Sequence, residues 1–213
     1  MSYEKLFTTL ASVIVGWLLA QITGSIKEVW KIRKIKKCLI EELQELEEEL
    51  ERTKMIYAKS IQIHALSGIG TEIPTPLSNH IFKNYYKDAV LSLSKQQRIS
   101  YQLIHTLIES TNQGIREFSK LTGSLQEKHM LEGIKAMKPQ EFQQWGKSAQ
   151  AEFKNISSCL WHVRHHKLNP KHPELNIKTE ASQDFLDHEK KTKDEIETII
   201  YLAKKNLTRD YFQ

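Results

Sequence analysis

From Leu6 to Ile26 the chain runs for twenty-one residues without a charge, and Lys5 and Lys27 bracket the run. A helix rising about 1.5 Å per residue would span about 30 Å over this length, the depth of a bilayer's hydrocarbon core. The pattern therefore predicts a transmembrane helix over residues 1–27. Beyond it the apolar positions continue but become periodic. Ile32, Leu39, Leu43, Leu46, Leu50 and Tyr57 recur at intervals of three and four residues or their multiples, with neither Gly nor Pro between Gly24 and Gly68. One helix from about residue 3 to residue 66 is expected, amphipathic below the membrane.

The remaining elements follow from the same periodicity and its interruptions. Gly68, Gly70, Pro74 and Pro76 mark a loop over 67–77. A shorter helix from about 78 to 93 carries Ile81, Phe82, Tyr85, Ala89 and Leu93. Ser94 is placed to cap the next helix, whose buried face is marked by Ile99, Leu103, Leu107, Ile115 and Phe118. Gly114 and Gly123 are expected to break or kink that helix and leave Leu125–Met137 as a separate piece. Pro139 suits the first turn of a long helix with Phe142, Trp145, Ala149, Phe153, Ile156, Leu160 and Val163 on one face. Asn169–Pro173 closes it. A last helix from about Glu180 to Leu207 presents Phe185, Ile196, Ile199, Ile200, Ala203 and Leu207. The expected fold class is all-α: one N-terminal transmembrane helix continuing into a long cytoplasmic helix (28–66, basic and then acidic), packed with 78–213 in a bundle of four to six helices.

Within the apolar run, Thr8, Ser12, Gly16, Ala20 and Gly24 recur every fourth residue and form a row of small side chains. Lipid gives helices no hydrophobic reason to associate, so membrane helices hold each other by close backbone approach along such rows and by polar side chains such as Gln21. The row predicts self-association. A secretory signal would need a small-residue cleavage site, and nothing resembling A-x-A follows the run. A buried helix of a soluble protein would need far more apolar surface around it than this amphipathic chain supplies.

Composition supports helices: eight Gly and five Pro among 213 residues, with Leu, Ile, Lys, Glu and Gln abundant. The net charge of +5 is unevenly placed. Lys27, Lys31, Arg33, Lys34, Lys36 and Lys37 crowd behind the apolar run, which places that side in the cytoplasm, leaves the N-terminus outside and sets a basic collar against anionic headgroups. The acidic stretch Glu41, Glu42, Glu45, Glu47, Glu48, Glu49 and Glu51 reads as a solvated, charge-laced helix face. Cys38 and Cys159 are too few for a disulfide framework. The sequons at Asn155 and Asn206 would matter only in a glycosylating lumen.

No phosphate loop, nucleophile elbow, dinucleotide fingerprint or HExxH motif occurs, and no cofactor is expected. Cys159, His162 and His166 fall on one helical face and, with His172, supply four residue types that bind zinc, but their spacing matches no common structural zinc class. The simpler reading is a helix ending in basic residues that complement its negative pole. Arg98 and His105 are separated by six residues near a helix start. RNA cleavage needs an acid/base and a cation for the phosphate, and these two would have to converge across a subunit interface to supply both.

The Arg98-x6-His105 spacing resembles the Arg-x4–6-His motif of HEPN-type helical domains, with Ile99 where those motifs usually carry a polar residue. One membrane helix followed by such a bundle resembles the accessory membrane proteins of type VI-B CRISPR systems. That resemblance implies ring-shaped pores that depolarise the host membrane during phage infection, and partners in a cytoplasmic defence complex or RNA-guided effector. The expectation is a non-enzymatic homo-oligomer of the bacterial inner membrane that alters its permeability as an anti-phage effector and does not bind nucleic acid directly. In it, the small-residue row packs neighbouring copies, and Thr9, Gln21 and Thr23 are candidates to line a lumen. Two alternatives stand beside it. One is a membrane-tethered adaptor for a cytoplasmic protein; the other is a membrane-bound ribonuclease using Arg98 and His105.

Overall fold

The computed structural model describes residues 3–133, 138–173 and 179–206. The described residues contain five α-helices and no strand: α1 (Tyr3–Ala65), α2 (His80–Ala89), α3 (Lys95–Glu132), α4 (Pro139–Leu168) and α5 (Glu180–Asn206). A single 3-10 turn, Val90–Ser92, follows α2. The expected all-α fold with a long first helix is found, while Leu207, Met137 and the Asn206 sequon's Leu207 and Thr208 lie wholly or partly outside the described residues.

α1 is one unbroken helix of 63 residues. It ends in a reversal whose left-handed position is held by Ser67 (φ 61°). The Gly68 N–H donates to the Ile63 carbonyl at 2.9 Å and the Ser67 N–H to that of His64 at 3.0 Å, which satisfies carbonyls the last turn would leave open. The loop that follows is stitched to α3 by Asn112. Its side-chain oxygen accepts the Leu77 N–H at 2.7 Å and its amide donates to the Leu77 carbonyl at 2.9 Å.

α1 and α4 form the central antiparallel pair. Arg164, near the end of α4, pairs with Glu47 and Glu51, while His64, at the end of α1, lies beside Phe142 and Trp145 at the start of α4. α3 runs along α4 and reaches α1 through side chains, as where Phe118 meets Tyr57, and α5 packs on both α1 and α4, with Lys54 bonded to Glu195 at 2.8 Å. The core contains Leu39, Leu43, Leu46 and Leu50 of α1, Phe118 of α3, and Trp145, Phe153 and Ile156 of α4, all essentially sealed from solvent. The Trp145 indole N–H donates to Thr122 Oγ1 at 2.9 Å, so this bulky side chain is buried without an orphan donor.

Ser94 caps α3 as its position predicts. Its hydroxyl accepts the Gln97 N–H at 3.2 Å, and the Gln97 side chain accepts the Ser94 N–H at 2.8 Å. Pro139 occupies the first turn of α4. Two expectations are corrected. α3 does not break at Gly114 or Gly123 but continues to Glu132, ending at Gly133 in the left-handed region (φ 80°). Gly114 instead leaves room for the Glu152 carboxylate, while Gly123 faces open space. The buried stripe of α3 is also shifted: Tyr101, Ile104, Ile108, Ile115 and Phe118 are buried, Leu103 and Leu107 are half-buried, and Ile99 is exposed. In α2, likewise, Tyr85 is exposed and Tyr86 turns inward.

Candidate functional site

From Phe7 to Trp30, α1 stands clear of the bundle. Every side chain in that stretch is exposed except a half-covered Ala11, and no other element packs on it. This is one helix near the N-terminus, long and apolar enough to cross a membrane, a property shared by membrane spans and signal sequences. Its hydroxyls bond back to their own helix: Ser12 donates to the Thr8 carbonyl at 2.6 Å and Thr23 to that of Leu19 at 2.8 Å. The Gln21 amide has no partner among the described residues. Side chains added at Gly16 and Gly24 would meet nothing within 4 Å, so the small-residue row, Thr8, Ser12, Gly16, Ala20 and Gly24, is an open groove.

The three lumen candidates do not share a face. At about 100° per residue, Thr9 and Thr23 lie within the sector swept by the small-residue row, whereas Gln21 sits about 160° from Thr23. A single lumen cannot be lined by all three.

The basic collar divides in two. Lys31 bonds Asp88 at 2.8 Å, Lys36 donates to the Ser92 carbonyl at 2.5 Å and Lys37 lies 3.5 Å from Glu41. Lys31 and Lys36 tie the end of the bundle to α1, while Lys37 pairs within α1 itself. Lys27, Arg33 and Lys34 remain exposed and make no ion pair among the described residues.

The acidic stretch is not simply a solvated face, which corrects the reading from sequence. Glu42 is buried and accepts the N–H groups of Ile81 and Phe82, at 2.6 and 3.0 Å. Glu49 accepts the Ser78 N–H, and Glu47 and Glu51 receive Arg164, with Lys167 also on Glu47 at 2.5 Å. Lys167 and Arg164 hold the Glu47 carboxyl below its ordinary range against the opposing effect of burial. Glu41, Glu45 and Glu48 alone keep to the solvent side.

Arg98 and His105 are not brought together. The Arg98 guanidinium turns back to the Leu93 carbonyl at 2.8 Å. His105 is buried, stacked on Phe82 with ring centroids 3.6 Å apart, and neither ring nitrogen has a hydrogen-bond partner. Burial lowers its pKa to about 3, so its approach to Glu42 at 3.8 Å is a contact of a neutral imidazole rather than an ion pair. A base in this position has no route to a phosphodiester within its own subunit.

Cys159, His162 and His166 share a helix but serve different interfaces. Cys159 belongs to the core, where burial pushes its thiol up to about 12. His162 packs on Phe185 of α5. His166 hydrogen-bonds Ser100 at 2.8 Å and packs on Tyr101 of α3. His172 is exposed in the loop beyond. Among the described residues, no group of three or more His, Cys, Asp or Glu is arranged to hold a metal ion.

No family model, curated protein or solved structure matches this chain. Sequence reasoning missed two structural devices: Glu42 as the cap of a distant helix and Asn112 as the clasp of the 67–77 loop. The only signal for either was a polar residue lying in phase with the apolar stripe.

Proposed function

We propose that the chain is an inner-membrane protein of bacteria that self-associates through the apolar half of α1 and alters membrane permeability. The observation that carries this reading is the bare stretch Phe7–Trp30, an apolar helix which the fold leaves wholly uncovered. In water such a surface would be costly, at roughly 25 cal/mol per Å² of apolar area. Continuity favours a retained span over a removed signal: α1 passes without a break from the apolar stretch into residues buried in the core, beginning at Ile35.

Self-association is supported by the open groove at Gly16 and Gly24 and by the unpaired amide of Gln21 on another side of the helix. A helix with two different adhesive sides makes head-to-tail contacts, and such contacts close into rings when the rotation permits. That geometry accords with the resemblance to pore-forming accessory membrane proteins of type VI-B CRISPR systems, and with an anti-phage role in which the bundle meets a cytoplasmic defence complex.

The decisive measurement is the mass of the detergent-solubilised particle, together with dye uptake by cells expressing the chain. An oligomer and leaky cells are expected. A monomer would remove the pore. Replacing residues 6–26 with an unrelated single-pass helix separates the pore from a tethered adaptor, because an adaptor would keep working and a pore would not.

A further inference from the structure

α2 climbs α1 toward the apolar stretch: its first turn sits on Glu42, and its last places Asp88 on Lys31. The turn Val90–Ser92 and the Ser94 cap follow, after which α3 descends. Among the described residues, the end of α2 and the turn after it, from Asp88 to Ser94, therefore lie toward the span end of the bundle, held there by Lys31 on Asp88 and, five residues further along α1, by Lys36 on the Ser92 carbonyl. Lys31 lies five residues beyond Ile26, about 7.5 Å of helical rise. A headgroup layer is roughly 5 to 7 Å deep, so a bundle hanging from this span begins at the inner edge of the headgroups, close enough for an apolar side chain at its end to enter them.

At the tip of that turn Leu91 is 94% exposed and adds nothing to the core. Trp30, one residue before Lys31 on α1, is also exposed at 69%, and an indole this close to the end of a span is typical of membrane interfaces. Lys87 and Lys95 flank the turn, both exposed and without an ion pair among the described residues. The carboxylates nearby are Asp88, which is taken by Lys31, Glu41, which faces Lys37, and Glu28 on α1. Positive charge predominates around an apolar tip.

We infer that the Val90–Ser94 turn is a second membrane contact, in which Leu91 enters the headgroup layer of an anionic leaflet and Lys87 and Lys95 bind its phosphates. The contact rests on the membrane reading above and adds to it: the bundle is seated on the bilayer rather than swinging below it. Charge complementarity selects anionic phospholipid.

The test uses the full chain in vesicles, with Cys38→Ser removing the accessible thiol and leaving buried Cys159 unlabelled. An environment-sensitive fluorophore is placed at Leu91→Cys, Val15→Cys or Met130→Cys, and lipids carrying a quencher report proximity to the bilayer. In vesicles of phosphatidylcholine with phosphatidylglycerol, labels at positions 91 and 15 should shift to the blue and be quenched, while the label at 130, on the far part of α3, should not. Lys87→Glu with Lys95→Glu, or phosphatidylcholine alone, should remove the effect at position 91 and spare position 15. Quenching at 15 but not at 91 overturns this contact and leaves the span standing. No quenching at 15 overturns both.

Discussion

The Glu42 carboxylate on α1 accepts the backbone N–H of Ile81 on α2 at 2.6 Å, and that of Phe82 at 3.0 Å. A side chain 39 residues upstream thus stands where an N-cap would, and Asn79, the residue in the cap position, makes no side-chain cap bond. The first N–H groups of a helix need acceptors and favour negative charge.

Glu42→Gln keeps the shape but leaves one acceptor oxygen and turns an NH₂ toward a donor. A loss of about 1–3 kcal/mol is expected, read as a lower melting temperature of the solubilised protein. An unchanged melting temperature would mean that water caps α2 equally well.

Burial lowers the pKa of four histidines: His64, His105 to about 3, and His162 and His166 to about 4. Their folded values lie below the unfolded value of about 6.5, so the unfolded chain binds more protons between those limits. Stability is fully present above pH 6.5 and falls as pH drops toward 4. Burial raises Glu42 and Glu152, which acts in the opposite sense and blunts the loss. His105→Phe, which preserves stacking on Phe82, should flatten the acid limb of stability against pH while keeping the fold. A ribonuclease dependent on His105 would lose all cleavage in the same variant.

Two glycines should respond in opposite directions. Gly123 is exposed within α3 and faces open space, so Gly123→Ala should raise stability by about 0.5–1 kcal/mol through helix propensity alone. Gly146 is buried, and a methyl there would fall on the His64 ring, which is stacked on Phe142 at 4.5 Å. Gly146→Ala should cost about 1–3 kcal/mol by overpacking. Thermal melts of the two variants side by side check both signs.

Gly16→Leu fills the groove without touching the bundle, since nothing lies within 4 Å of that position. Thermal stability of the helical bundle should be unchanged, while assembly in detergent and dye uptake are lost. Full leakage from this variant would place self-association elsewhere on the chain.

Long-period features were legible in the sequence because they depend on many residues at once. The long apolar first helix, the stripe Leu39–Leu43–Leu46–Leu50, the α4 stripe from Trp145 to Val163, the Ser94 cap and Pro139 in the first turn of α4 all stand where the pattern put them. What failed depended on single partners. Gly114 reads as a helix breaker until Glu152 is seen lying over it, and Ile99 reads as core because its spacing to Leu103 is correct on a face that turns out to be the flank. The acidic stretch looked solvated because no local signal announces that Glu42 will meet the start of α2 or that Glu47 will meet Arg164. His162 and His166 lie within one turn of each other on α4, yet neighbours supplied by the fold send them to α5 and α3.

α1 has a bare apolar half and a half packed into the bundle, with no swivel between them: no Gly or Pro interrupts it from Gly24 to its end at Ala65. Torque applied to the bundle is therefore delivered to the other end of the same shaft. A partner that twists the folded half turns the apolar half with it, like a key whose bow and blade are cut from one piece of metal.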